Sequence, residues 1–414
     1  MLARPLFTIL FALFLPASVH AEAPVIDNPA TPSGGRVTLE PELMWRVGGE
    51  SDADDEFFGV VRNAVVDASG TTYLLDEQLN EVRAFDASGE FLTSFGREGQ
   101  GPGELSRPRE LLLLPDGRIG VLNGRPTKIT TYLTDGALGG DATIGSGEEH
   151  LGFVFEAQSA GGHLACVRHV MAIGDKTTTS TRSLVSFNPD GSIHRVYKED
   201  TREQPQSGGG RRGMRIMIDG SFVSAWAIGP DGRMYIAPHQ DQYLIEVYDV
   251  DGALLHTIRR DYERFARSEK EMDREREQQR AAAERMGGDV GQREIDAFTP
   301  DVLALLARED GELWVQSGEG RSMDNEGALA VYDVYDPDGR FVRQVELRAP
   351  YDSGDDRFEI QGDRLFVFER AQDAVSSMAA GRGMVIISDR GEEEDEEDLE
   401  PLAIACYRLP LTSD

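Results

Sequence analysis

Apolar residues recur along the chain in short alternating runs separated by Asp- or Gly-centred turns, which is the period-two signature of half-buried strands. Aligned on the preceding glycine, the runs form one column six times over. It reads G-T-T-Y-L-L-D from Gly70, G-R-I-G-V-L-N from Gly117, G-H-L-A-C-V-R from Gly162, G-R-M-Y-I-A-P from Gly232, G-E-L-W-V-Q-S from Gly311, and D-R-L-F-V-F-E after Gly362. A second column places an aromatic four positions before a turn glycine: Phe85 and Gly89, Tyr132 and Gly136, Phe187 and Gly191, Tyr248 and Gly252, Tyr335 and Gly339. The sixth aromatic, Tyr407, has Leu411 at that spacing, so the sixth unit is short of an outer strand. The segment Leu43–Glu50 (L-M-W-R-V-G-G-E) matches the outer strand F-L-T-S-F-G-R-E at Phe91–Glu98 and is expected to supply it. The pattern therefore predicts an all-β, six-bladed β-propeller over residues 41–414, closed by an N-terminal strand that completes the last blade. Such a join leaves no open sheet edge in the ring.

The stretch from Tyr73 through Leu111, with its Asp86-Ala87-Ser88-Gly89 turn and the G-R-E-G-Q-G-P-G-E-L crossing, resembles one full repeat of an NHL-type six-bladed propeller. The resemblance extends over nearly all of Trp45–Leu409. It is strongest again at Leu305–Leu347, where E-D-G-E-L-W-V precedes V-Y-D-P-D-G-R-F-V. The NHL pattern has an Asn three residues after the strand-b Asp, whereas Asp76 and Asn80 here stand four apart. What the resemblance implies is a scaffold, and scaffolds of this kind host many functions.

Strand direction alternates, so the a–b and c–d turns fall on one face and the b–c loops and d-to-a crossings on the other. The long insertions Met171–Arg182, Lys198–Ser221, Arg259–Asp301, Gly318–Gly327 and Ala371–Pro401 all belong to the second, loop face. Function on repeat scaffolds gathers where loops are long. Residues 259–301, between blades four and five, are expected to be largely helical. Arg259–Arg285 has no Gly or Pro, carries Tyr262, Phe265 and Ala266 at helical spacing, and ends at Gly287-Gly288. Its nine basic and eight acidic side chains make it nearly neutral, as is the segment with Arg211 and Arg212. It reads either as a partner-binding arm or as a solvated helix laced by pairs such as Glu263 with Arg267. The acidic run Glu392–Glu400 would bind a cation or a basic peptide, or stand as a self-repelling loop.

Composition narrows the partners. Forty-two basic against 74 acidic side chains give a formal net charge of -32, which repels nucleic acid and anionic lipid. Residues 1–21, with Arg4, the apolar run Leu6–Leu15 and the small residue Ala21, read as a secretory signal peptide, followed by an N-terminal extension at 22–40. A run of ten residues is too short to span a bilayer, so no membrane insertion is expected, and the mature chain is placed outside the cell or in the periplasm, as a monomer. Cys166 and Cys406 fall in blades three and six, too far apart for disulfide geometry, and are expected as free thiols.

The b strands end at Asp76, Asn123, Arg168, Pro238, Ser317 and Glu369 near the axis of the loop face, with His169 and His239 beside them. Asp76, Asn123 and Glu369 could supply oxygen ligands to Ca²⁺, similar to the axial metal of gluconolactonase-like and strictosidine-synthase-like propellers. Arg168 in the same ring opposes a cation, and the competing reading is hydrogen bonding across the channel mouth, with no cofactor. No H-x-H, H-E-x-x-H, G-x-S-x-G, Walker or C-x-x-C pattern occurs. The functional expectation is a non-catalytic binding propeller that recognises a protein, peptide or carbohydrate through Asp76, Asn123, Arg168, His169, His239, Glu369, Arg211 and Arg212. The alternative is a metal-dependent hydrolase or lyase with an axial divalent cation.

Overall fold

The computed structural model describes residues 23–49, 57–124, 127–142, 152–174, 176–205, 222–285, 295–321, 328–372, 374 and 402–410. Residues 1–21, expected to be a signal peptide, Arg211, Arg212, Gly287-Gly288 and the run Glu392–Glu400 lie outside them. The described chain opens with β1 (Val25–Asn28), β2 (Arg36–Leu39) and β3 (Glu42–Gly48). Blade one is β4 (Val61–Val66), β5 (Thr72–Asp76), β6 (Glu81–Phe85) and β7 (Phe91–Phe95); blade two is β8 (Pro108–Leu113), β9 (Ile119–Gly124), β10 (Thr127–Tyr132) and β11 (Leu138–Ala142). Blade three is β12 (Phe153–Ala160), β13 (His163–Ile173), β14 (Thr177–Phe187) and β15 (Ile193–Pro205); blade four is β16 (Ala225–Ile228), β17 (Met234–Ala237), β18 (Leu244–Tyr248) and β19 (Leu254–Arg260). Blade five follows as β20 (Val302–Ala307), β21 (Leu313–Ser317), β22 (Ala330–Tyr335) and β23 (Phe341–Leu347), and blade six as β24 (Arg357–Gln361), β25 (Arg364–Glu369) and β26 (Ala403–Arg408). Strand β3 lies antiparallel beside β26, with Trp45 opposite Cys406, and makes the fourth strand of blade six. This is a six-bladed β-propeller.

The aromatic column earns its regularity in the seams. Each pair of neighbouring blades shares one buried cluster: Phe85 with Trp45 and Phe366 between blades six and one, Tyr132 with Tyr73 and Phe95 between one and two, Phe187 with Cys166 between two and three, and so round the ring. The turns are held by their leading aspartates. Asp86 Oδ1 accepts the amides of Ser88 at 2.8 Å and Glu90 at 2.9 Å. Gly89 closes that turn at φ 86°, with Trp45 packed where a Cβ would sit, so both backbone and space require glycine there.

Three segments differ from the sequence reading. The N-terminal extension, given no structure from the sequence, pairs with the ring: β1 lies parallel to β19 and β2 parallel to β23, so the segment straps the outer edges of blades four and five before β3 completes blade six. The expected helix at 259–285 begins later, because Arg259 and Arg260 finish β19 and residues 261–268 belong to no helix. Ser268 caps α1 (Glu269–Arg285), its amide donating to Glu271 Oε2 at 2.8 Å and its Oγ accepting the Glu271 amide at 3.3 Å. Arg267 accordingly pairs with Glu275, at 3.3 Å, rather than with Glu263 along a helix. Finally, Met171–Arg182 is no loop: β13 and β14 stay paired out to Ile173 and Thr178. Both cysteines are free and buried.

Candidate functional site

The b-strand termini assemble at the loop face, and most of their polar atoms are already engaged by the fold. Asp76 is buried; its Oδ2 accepts the Gly59 amide at 2.7 Å, and its Oδ1 accepts those of Gln78 and Leu79 at 2.9 Å and of Val60 at 3.3 Å. A carboxylate so surrounded ties the chain entering blade one to the b–c turn. That turn is finished by Asn80, at φ 57°. Asn123 repeats the device in blade two, with Oδ1 accepting the Ser106 amide at 2.8 Å and Nδ2 donating to Thr130 Oγ1 at 3.0 Å. Ser317 Oγ accepts the Gly320 amide at 3.3 Å. Glu369 takes the guanidinium of Arg46, from the closing strand, at 2.7 Å. Arg168 donates from Nε to Ser183 Oγ at 3.0 Å across β13 and β14. His169 is buried and shares a 2.5 Å hydrogen bond with Ser180 Oγ; burial, and then the nearby Arg182, hold its pKa below the ordinary imidazole value. His239 is exposed just past β17.

A second group of residues, not singled out from the sequence, meets at the axis. The innermost strands have no partner on their axial side, so their backbone groups need others. Asn63 reaches from blade one to the amide and carbonyl of Leu111 at 2.9 and 2.8 Å, and Gln158 from blade three to the Trp226 carbonyl at 3.3 Å. Ser224 donates from blade four to the Val302 carbonyl at 2.5 Å. In blades one, two, three and five the innermost strand carries a β-bulge near its start. Bulges re-aim side chains. Just there stand Arg62, Glu110 and Glu156, facing Arg357 and Glu359 from blade six. Burial pushes Glu110 up to about 8 against the pull of Arg62, with Glu359 and Glu156 adding to the rise. Burial also raises Glu156 and Glu359, although Arg357 opposes it at Glu359. Glu156 nevertheless remains exposed to solvent. Perturbed carboxyls in a solvated channel can hold a proton at neutral pH and donate it. The signal was there to be read: V-R-N-A-V-V, P-R-E-L-L-L, F-V-F-E-A-Q-S and R-F-E-I-Q carry charge inside apolar runs, whereas A-W-A-I and V-L-A-L-L-A of blades four and five do not.

Blade three rises above the rest of the loop face. Its β13, β14 and β15 have 11, 11 and 13 residues, against four to six for the b strands of other blades. Past Phe153 of β12, which pairs with His169, β13 runs on for the four residues 170–173, so the three outer strands rise roughly 13 Å beyond the innermost strand. One side of it presents His169, Met171 and Ile173, the last 75% exposed near the tip; the other presents Val170 and a threonine row in which Thr181 and Thr201 hydroxyls meet at 3.0 Å. Among the described residues no strand pairs with the outer side of β15.

No protein-family model matches the sequence, and no curated protein is similar to it in sequence. Solved propellers are similar in shape. They include a Bacteroides fragilis protein named as exported (12% identity, 91% of this chain and all of that one covered, TM-score 0.44). A gluconolactonase of Xanthomonas campestris shares 13% identity, with 88% of this chain and 98% of that one covered and a TM-score of 0.39. The calcium-binding regucalcin of Agrobacterium tumefaciens also shares 13%, covering 91% and 98%, at a TM-score of 0.39. The likeness concerns general architecture and carries nothing about ligand or reaction. No helix among the described residues is long and apolar enough to cross a membrane.

Proposed function

We propose that the chain is an NHL-type propeller, secreted or periplasmic and monomeric, that binds a protein, peptide or carbohydrate through its loop face without turning it over. The observation that carries this reading is the raised sheet of blade three beside the channel mouth, whose outer strand β15 has no partner strand among the described residues. An unpaired strand can continue its ladder with an extended polypeptide, which favours a peptide or protein over a carbohydrate. The reading is supported at the mouth by Asp76, Asn123 and Glu369, whose oxygens already serve backbone amides and Arg46. The second reading, a metal-dependent hydrolase or lyase, draws on the channel glutamates Glu110, Glu156 and Glu359. Among the described residues no three acidic, His or Cys side chains group as metal ligands.

The test removes Val170–Thr181, rejoins His169 to Arg182 through a short Gly-containing turn, and compares binding to defined peptide and glycan arrays. Selective peptide capture by the parent that weakens at least tenfold in the shortened variant, at an unchanged melt, is the expected outcome. Capture that survives the deletion would move the binding surface elsewhere, and turnover of a lactone or glycosidic substrate would favour the second reading.

A further inference from the structure

Three polar atoms without a hydrogen-bond partner among the described residues gather in the seam between blades six and one: Trp45 Nε1, Thr72 Oγ1 and Arg364 Nη1. Their residues are 6%, 0% and 8% exposed. Their residues all face this one seam. Trp45 lies opposite Cys406, whose thiol neighbours the Arg364 guanidinium. Arg364 Nη2 reaches within 3.6 Å of where a Gly70 side chain would begin, two residues before Thr72. Thr72 is paired with Phe85, on which Trp45 stacks at 6.3 Å between centroids.

All three groups can donate hydrogen bonds, and among the described residues none of the three atoms has an acceptor, the Arg364 guanidinium bonding only the Cys406 thiol and Asp363. Arg364 meets one carboxylate, Asp363, through Nε at 3.3 Å, and that side chain is 51% exposed. A guanidinium cannot shed its proton, so burial leaves its charge to be compensated from outside. An ordered water would accept from the indole and the hydroxyl but would leave that charge as it is. A small anion does both. We infer that the blade six–blade one seam is a binding site for a small monovalent anion of the halide class, held by Trp45, Thr72 and Arg364 where the closing strand β3 meets blade one. The site locks the joint on which ring closure depends. It is independent of any ligand at the loop face.

The test uses the full mature protein. Crystals grown in sodium bromide are expected to show an anomalous peak between Trp45 and Arg364. In solution, at matched ionic strength, the melt in sodium chloride or bromide should exceed that in sodium gluconate, whose anion is too large for the seam. Arg364→Gln should abolish this difference. Because that change risks the fold, Trp45→Phe serves as the second variant; it keeps the ring, removes the N–H, and should raise the half-saturating bromide concentration about three- to tenfold. A seam filled by an ordered water only, with melts that coincide across the three salts, would overturn the assignment. So would an anion effect that both variants retain unchanged, since it would then arise elsewhere.

Discussion

Asp76 and Glu110 show how little residue type alone decides at this scale. Both are acids at strand ends of neighbouring blades, yet Asp76 is ringed by amides while Glu110 sits in the channel with Glu156 and Glu359. The position of Asp76 was legible from its column in the sequence; its partners were not, because the Gly59 and Val60 amides come from a chain segment with no pattern of its own. Glu110 was legible only as a charge inside an apolar run; the side it faces was not, because a bulge changes which side of a strand faces the axis and leaves no period-two mark. The consequence of its raised pKa has a definite sign. The folded state holds a proton up to about 8 whereas an ordinary glutamate releases it near 4.5, so stability falls as pH climbs between those values. Replacing Glu110 with Gln should leave the melt at pH 5 nearly unchanged and make the variant the more stable protein at pH 9. The gain should be about 1–3 kcal/mol, allowing for screening by channel water. Taking the difference between variant and parent cancels the opposing titration of His169. Equal pH profiles for the two proteins would mean that Glu110 is well solvated.

At the scale of elements, the blades were legible because each repeats the same turn and the same aromatic. The strap was not, since β1 and β2 are four residues each and fall outside the repeat spacing, even though Gly34-Gly35 leads directly into β2. What holds the strap is tertiary. Asn28 donates to the carbonyls of Gly339 at 3.0 Å and Arg259 at 3.1 Å and accepts the Phe341 amide at 2.8 Å, which pins blade four to blade five. Ile26 fills the space above Gly339, and Leu39 enters the cluster between blades five and six. Arg260 adds hydrogen bonds to the Ala30 carbonyl, at 3.2 and 2.8 Å, while its guanidinium meets the buried Asp333. Similarly, the late start of α1 follows from Arg260 being claimed by this network, which keeps the preceding residues in β19. Two aliphatic side chains and a bridging amide are together worth about 3–6 kcal/mol. A chain starting at Pro41 should therefore fold with a lower denaturation midpoint. One starting at Gly49, which also lacks β3, should lose cooperative unfolding. A Pro41 chain that unfolds like one starting at Glu22 would mean that β1 and β2 only rest on the ring.

For the whole molecule, closure and charge pull against each other. The ring is complete only when β3 pairs with β26, more than 350 residues along the chain, so every blade must stand before the seam between six and one can form. Meanwhile a formal charge of -32 repels itself throughout that compact state. Raising sodium chloride from 10 to 150 mM shortens the Debye length to about 8 Å and should raise the melting temperature. Calcium offers a sharper measurement, because screening and specific binding separate when ionic strength and chloride are both held fixed. With Asp76, Asn123 and Glu369 occupied by amides and Arg46, calcium should act through screening alone, and its melts should follow those in magnesium at the same ionic strength. A resident ion at a hundred times its dissociation constant would instead add about 2.7 kcal/mol, a rise of several degrees over magnesium. That excess would mean that the mouth rearranges to release its carboxylates to a metal, and the hydrolase or lyase reading would then displace the binding one.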